Sequence, residues 1–141
     1  MMRTIPVLLT ALLLSTAAAH SELEKAVPDE DARVSAPKQV ELTFGEPLEL
    51  RFSTFKVYPL GVTGNTLKVN GAAGALKTKV LSLKNDAVAR ADLGVSTTGR
   101  TATSVTLPLK AALKKGAYVV MWKVLSVDTH ATDGYYVFYV Q

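Results

Sequence analysis

The sequence predicts an all-β fold, an antiparallel sandwich or barrel with Greek-key connections. Three observations predict it. Apolar and polar residues alternate with a period of two through most of the chain, as in Val40, Leu42 and Phe44 against Gln39, Glu41 and Thr43. Turn signals recur at short intervals, at Pro28-Asp29, Gly45-Glu46-Pro47, Asn70-Gly71, Lys84-Asn85-Asp86, Lys115-Gly116 and Asp133-Gly134. Helical spacing is almost absent: only Leu107 to Lys115 reads as a helical turn, and Pro108 keeps it short.

The elements follow in chain order. Residues 1–19 read as a secretory signal, with Arg3 at the positive start, an apolar core from Ile5 to Leu14, and Ala17-Ala18-Ala19 as the cleavage site. That core is shorter than the roughly 20 residues a spanning helix needs. Cleavage after Ala19 leaves one domain, residues 20–141, or 141 − 19 = 122 residues, with His20 at its N-terminus. The strand from Val40 to Phe44 is half-buried. Leu48, Leu50 and Phe52 keep one phase, and Phe55 and Val57 take the other. A phase flip near Ser53-Thr54 marks a bulge or a strand that changes sheets. Gly61 to Gly74 reads as a long loop or weak hairpin, and Leu76 to Leu83 as a strand. Thr103, Val105 and Leu107 alternate. Tyr118 to Leu125 is apolar on both faces, which suits a central strand, and Tyr135 to Val140 closes the chain. Trp122, Tyr136 and Phe138 fall at strand spacing and read as core rather than a ligand platform.

Composition narrows the function. With 16 Lys and Arg against 12 Asp and Glu the chain carries +4, and 15 − 12 = +3 once Arg3 is removed. The lysines are scattered rather than striped, which reads as solubility and not nucleic-acid binding. No cysteine is present, so there is neither a disulfide nor a thiolate ligand. No glycine-rich phosphate loop follows a strand. A nucleophilic triad would have to use His130 without a recognisable elbow.

The chemistry gathers on the two histidines. His130 lies in SVDTHATDG, two residues after Asp128. In extended backbone residues two apart point the same way, which lets a carboxylate and an imidazole converge on one ion. Alone, such a D-x-H is a weak signal and reads rather as a solvated loop in which Asp128 caps a turn. His20 adds weight, because an N-terminal histidine offers its free amine and its ring Nδ1 to the same metal. Those two nitrogens with His130 and Asp128 form a four-donor nitrogen and oxygen set suited to tetragonal Cu(II), and less specifically to Ni(II).

These features resemble the CopC family of exported copper-binding proteins. The resemblance rests on the N-terminal histidine, on AVPDEDARVSAPKQVELTFGEPLEL and on GAYVVMWKVLSVDTHATDGYYVFYV, and so covers essentially the whole of residues 20–141. It implies a Greek-key β-barrel or sandwich of immunoglobulin-like shape and a Cu(II) site at His20, Asp128 and His130. Glu46, in the L-x-F-x-E-P element, is placed as an outer partner of the ligands, with a simple hairpin glutamate as the alternative. Two departures stand out. The family's D-G-H is Asp128-Thr129-His130 here, and the methionine-rich loop by which some relatives bind Cu(I) has no counterpart between Gly61 and Gly74. Met121 alone, in a strand, cannot build a thioether site.

The resulting expectation is a periplasmic, non-enzymatic copper carrier or sequestering protein that serves copper homeostasis or resistance, with a CopD-like membrane transporter as partner and no membrane insertion of its own after cleavage. A histidine-brace copper oxygenase and a metal-free immunoglobulin-like interaction module are the rival readings.

Overall fold

A computed structural model describes residues 22–141. Within them lie β1 (Leu23–Val27), β2 (Arg33–Val34), β3 (Gln39–Glu49), a single 3-10 turn at Leu50–Phe52, β4 (Thr54–Pro59), α1 (Thr66–Val80), β5 (Thr101–Pro108), β6 (Gly116–Leu125) and β7 (Ala131–Val140). Two sheets form a sandwich, one ordered β1-β3-β5 and the other β2-β7-β6-β4. Neighbours are antiparallel except the short β2, which runs parallel to β7. The phase flip at Ser53-Thr54 is a change of sheet: β3 belongs to the first sheet and β4 to the second.

Alternation places Val40, Leu42 and Phe44 of β3, Val105 and Leu107 of β5, and Tyr118, Val120, Trp122 and Val124 of β6 in the core between the sheets. The expected core aromatics are there: Trp122 packs edge-on to Phe44 at 6.0 Å and against Tyr136 at 6.3 Å. Strand β6 is apolar on both faces because both are covered. Its other face contributes Val119 and Met121 to a second core, closed from outside by Val69, Ala73 and Val80 of α1.

That helix corrects the expectation of at most a short helical turn. Residues 66–80, assigned from sequence to a glycine-rich loop and the start of a strand, form four turns of helix instead, with Asn70-Gly71 inside it. Between Leu107 and Lys115, where the turn was expected, no helix forms, and β5 runs to Pro108. Asn65 caps the N-terminus, its Oδ1 accepting the Lys68 amide at 2.9 Å. The other end is held by Lys56 of β4, which is buried to 2 % exposure. Its Nζ donates to the carbonyls of Val80 (2.9 Å) and Leu83 (2.7 Å) and to Asp86 Oδ2 at 2.7 Å. One of the helical glycines serves close packing: a Cβ on Gly74 would lie 2.8 Å from the Tyr135 hydroxyl of β7. Asp133-Gly134, expected as a turn, lies inside β7, where Gly134 faces Trp122 across the ladder.

Strand β3 carries a pronounced bulge. Thr43 pairs with Ser104 and Leu48 with Ala102, so five steps on β3 oppose two on β5. Pro47 has no amide hydrogen to give the ladder, which suits it to this arch.

Candidate metal centre

The bulge of β3 is the meeting point of two distant parts of the chain. On one side the Gly45 amide donates to the Glu22 carbonyl at 3.0 Å, extending the β1–β3 pairing toward the N-terminus. On the other, Leu48 bridges Ser126, and the Val127 amide donates to the Pro47 carbonyl at 3.1 Å. The loop from Ser126 to His130, which joins β6 to β7, is therefore pinned beside the strand that receives the N-terminal segment.

The loop is a tight turn rather than extended backbone. The Thr129 amide bonds to the Ser126 carbonyl at 3.0 Å, the Ser126 amide bonds to the His130 carbonyl at 2.9 Å, and Thr129 takes φ of 73°. Asp128 and His130 converge, as the D-x-H spacing predicts, but the curl of the turn does it. Asp128 Oδ2 lies 3.1 Å from His130 Nδ1, and both side chains face solvent. That contact is a hydrogen bond between the ring and the carboxylate, and its length is also close to the roughly 2.8 Å that separates two donors bound at about 2.0 Å and at right angles to each other.

Ser126 organises this turn, a role that residue spacing did not reveal. It is 1 % exposed. Its hydroxyl bonds to Asp128 Oδ1 and lies 3.2 Å from the His130 amide. The Ser126 hydroxyl, and after it the His130 amide and ring, hold the Asp128 carboxyl below the ordinary aspartate range, which favours its ionised form, the form in which a carboxylate can bind a cation.

Of the other expected site residues, Glu46 sits in the bulge next to Pro47. Its Oε1 is buried and has no hydrogen-bond partner among the described residues. His20 lies outside the described residues, two positions before Glu22. Among the described residues no group of three or more His, Cys, Asp or Glu forms a metal set; of the three expected ligands, the described residues include Asp128 and His130. Met121 is fully buried beneath α1. No helix among the described residues is long and apolar enough to cross a membrane.

Residues 23–141 match the model of the CopC domain. The chain is 30% identical to copper resistance protein C of Escherichia coli over 126 residues, covering 89% of this chain and 85% of that protein. It is 29% identical over 128 residues to copper transport protein CutJ of Bacillus subtilis, a match that spans 90% of this chain but 19% of that protein. In shape it is similar to the crystal structure of PcoC, a methionine-rich copper resistance protein from Escherichia coli, with TM-score 0.61 and 28% identity over 87% of this chain and all of that one. With two sheets, the pinned D-x-H turn and a family model that spans nearly the whole described structure, the chain belongs to the CopC family, among whose similar proteins are copper resistance and copper transport proteins.

Proposed function

We propose that the protein is an exported, periplasmic carrier or sequestering agent that binds one Cu(II) through His20, Asp128 and His130. The observation that carries the reading is the 3.1 Å convergence of Asp128 Oδ2 and His130 Nδ1 on a turn tied to the β3 bulge. Chain connectivity supports the third ligand. Two residues of extended backbone span about 7 Å, so His20 is tethered within that reach of Glu22, which is bonded to the same bulge. Removal of residues 1–19 then frees an α-amine that chelates together with the His20 ring. The partnerless Glu46 Oε1 is an acceptor suited to the hydrogen of such an amine.

The oxidation state follows from the donors. Nitrogen and carboxylate oxygen suit Cu(II), and Cu(I) selects thioethers or thiolates. Unlike the methionine-rich relative, this chain keeps only Met121 after cleavage, under a helix. A membrane copper transporter is the fitting partner, since a CopC-like segment makes up a minor part of the copper transport protein CutJ. A four-donor tetragonal shell leaves oxygen no good coordination position, which favours a carrier over an oxygenase.

The test is an N-terminal extension. Protein beginning at His20 and protein beginning Gly-His20 are compared for Cu(II) affinity by chelator competition, with matched melting curves. Extension turns the amine into an amide and should weaken binding by at least tenfold while the fold is kept. His130→Ala and Asp128→Ala should weaken it as well. Equal affinities for all four proteins overturn the assignment.

A further inference from the structure

We infer that Ser126 is a positioning residue that makes Asp128 a one-oxygen ligand, a role that rests on the copper reading above and refines it. A serine hydroxyl has one proton. Two acceptors face it, Asp128 Oδ1 and the His130 carbonyl at 3.2 Å, and the carboxylate, nearer and charged, takes the proton, while a lone pair of the hydroxyl oxygen accepts the His130 amide at 3.2 Å. The His130 amide also reaches Oδ1 at 3.3 Å. Oδ1 is thus held by two donors on its own turn, and Oδ2 is the oxygen turned toward His130 Nδ1. A metal that engaged both oxygens would take Oδ1 from a hydroxyl buried at 1 % exposure, where an unmade hydrogen bond is expensive. The carboxylate therefore offers a single donor in a fixed direction. That completes a square of single donors and disfavours ions that prefer a chelating carboxylate.

The backbone of Ser126 is fixed independently of its side chain, by the bridge to Leu48, the amide bond to the His130 carbonyl and the bond from the Thr129 amide. Ser126→Ala therefore removes the hydroxyl and keeps the turn. Asp128→Asn supplies a second view. Its amide oxygen would accept the Ser126 proton, which turns the NH2, a group that does not ligate, toward the metal.

The experiment uses protein with His20 at its N-terminus and measures Cu(II) affinity by chelator competition, the Cu(II) paramagnetic resonance spectrum, and exchange of the His130 amide without metal. Ser126→Ala should bind Cu(II) 10- to 100-fold more weakly, the usual effect of losing an outer partner. Its spectrum should shift, and the His130 amide of the metal-free protein should exchange faster. Asp128→Asn should bind as weakly as Asp128→Ala. If Asp128→Ala is weakened while Ser126→Ala keeps wild-type affinity and spectrum, or Asp128→Asn keeps most of its affinity, the positioning role fails alone. If Asp128→Ala itself binds as wild type does, the copper reading fails and takes this role with it.

Discussion

Thr129 is the residue to relax. It stands at φ 73° in the turn between Asp128 and His130, in the left-handed region that a β-branched side chain rarely enters. Holding a non-glycine residue there costs about 1–2 kcal/mol, because Cβ crowds the following carbonyl oxygen. Thr129→Gly removes that crowding. Against it stands the freedom that glycine gains in the unfolded chain, worth about 0.5–1 kcal/mol. The difference is a net stabilisation of about 0–1.5 kcal/mol, centred near 0.75 kcal/mol, and that central value raises the melting temperature of a domain of this size by roughly 2–5 °C. Thr129 is exposed, so no core contact is lost in the exchange. Thr129→Ala is the control: it keeps Cβ and the crowding, and should leave stability within about 0.5 kcal/mol of wild type. Calorimetry on metal-free protein, with urea unfolding alongside, reads the difference. A Thr129→Gly protein that melts below wild type would refute the claim that this backbone angle stores strain.

Two further substitutions probe the packing. Gly134→Ala puts a Cβ 2.5 Å from Trp122 Cζ2 and 2.8 Å from Cε2, and the indole is held between Phe44 and Tyr136. Overpacking should cost about 1–3 kcal/mol in urea unfolding and shift the fluorescence of the single tryptophan; a neutral result would mean that the ring yields freely. Asp86→Ala removes the carboxylate facing Lys56 Nζ, which is 3 % exposed, and should cost about 3–5 kcal/mol, whereas Lys56→Met with Asp86→Ala should cost less because no charge is left stranded. Burial works to raise the Asp86 pKa, but the hydrogen bonds from Lys56 and Tyr58 outweigh it and hold it low. The gap between wild type and Asp86→Ala should therefore be full above the ordinary aspartate pKa of about 3.9 and close as pH falls below it; a gap indifferent to acid counts against the ion pair.

Much of the sandwich was legible because its strands advertise themselves locally. Alternation in β3 and β5 gives the buried face directly, and the flip at Ser53-Thr54 marks the change of sheet. The apolar doubling of Tyr118 to Leu125 announces a strand covered on both sides. What covers the second side was not legible. Helix α1 shows little amphipathic spacing, and glycines at 71 and 74 lower its intrinsic propensity. It is held by long-range partners instead: Lys56, 24 residues before the Val80 carbonyl it binds, and Tyr135, 61 residues after Gly74. No window along the chain contains such information. Gly134 misled for a related reason, since its small size answers to Trp122 on the neighbouring strand. At the site, Asp128 and His130 could be read from spacing. The organising part of Ser126 could not, because it depends on the left-handed backbone of Thr129 that brings residues 126 and 130 back together.

The bulge of β3 also sets the order in which this protein can come to hold metal. Its contacts join residue 22 to residue 45 and residue 47 to residue 127. The proposed ligands at 20 and 130 are 130 − 20 = 110 positions apart in sequence. A chain that emerges N-terminus first exposes His20 early, yet presents the other ligands only after β6 has been made, and positions them only when that strand has settled against β3. Closing so large a loop is slow compared with local structure. With the proposed cleavage a histidine with a free amine is ready at once, but the full set of proposed donors exists only in the finished fold. Copper would therefore meet this protein as a strong ligand late in its biogenesis, and its capture would report that the two ends of the chain have found each other.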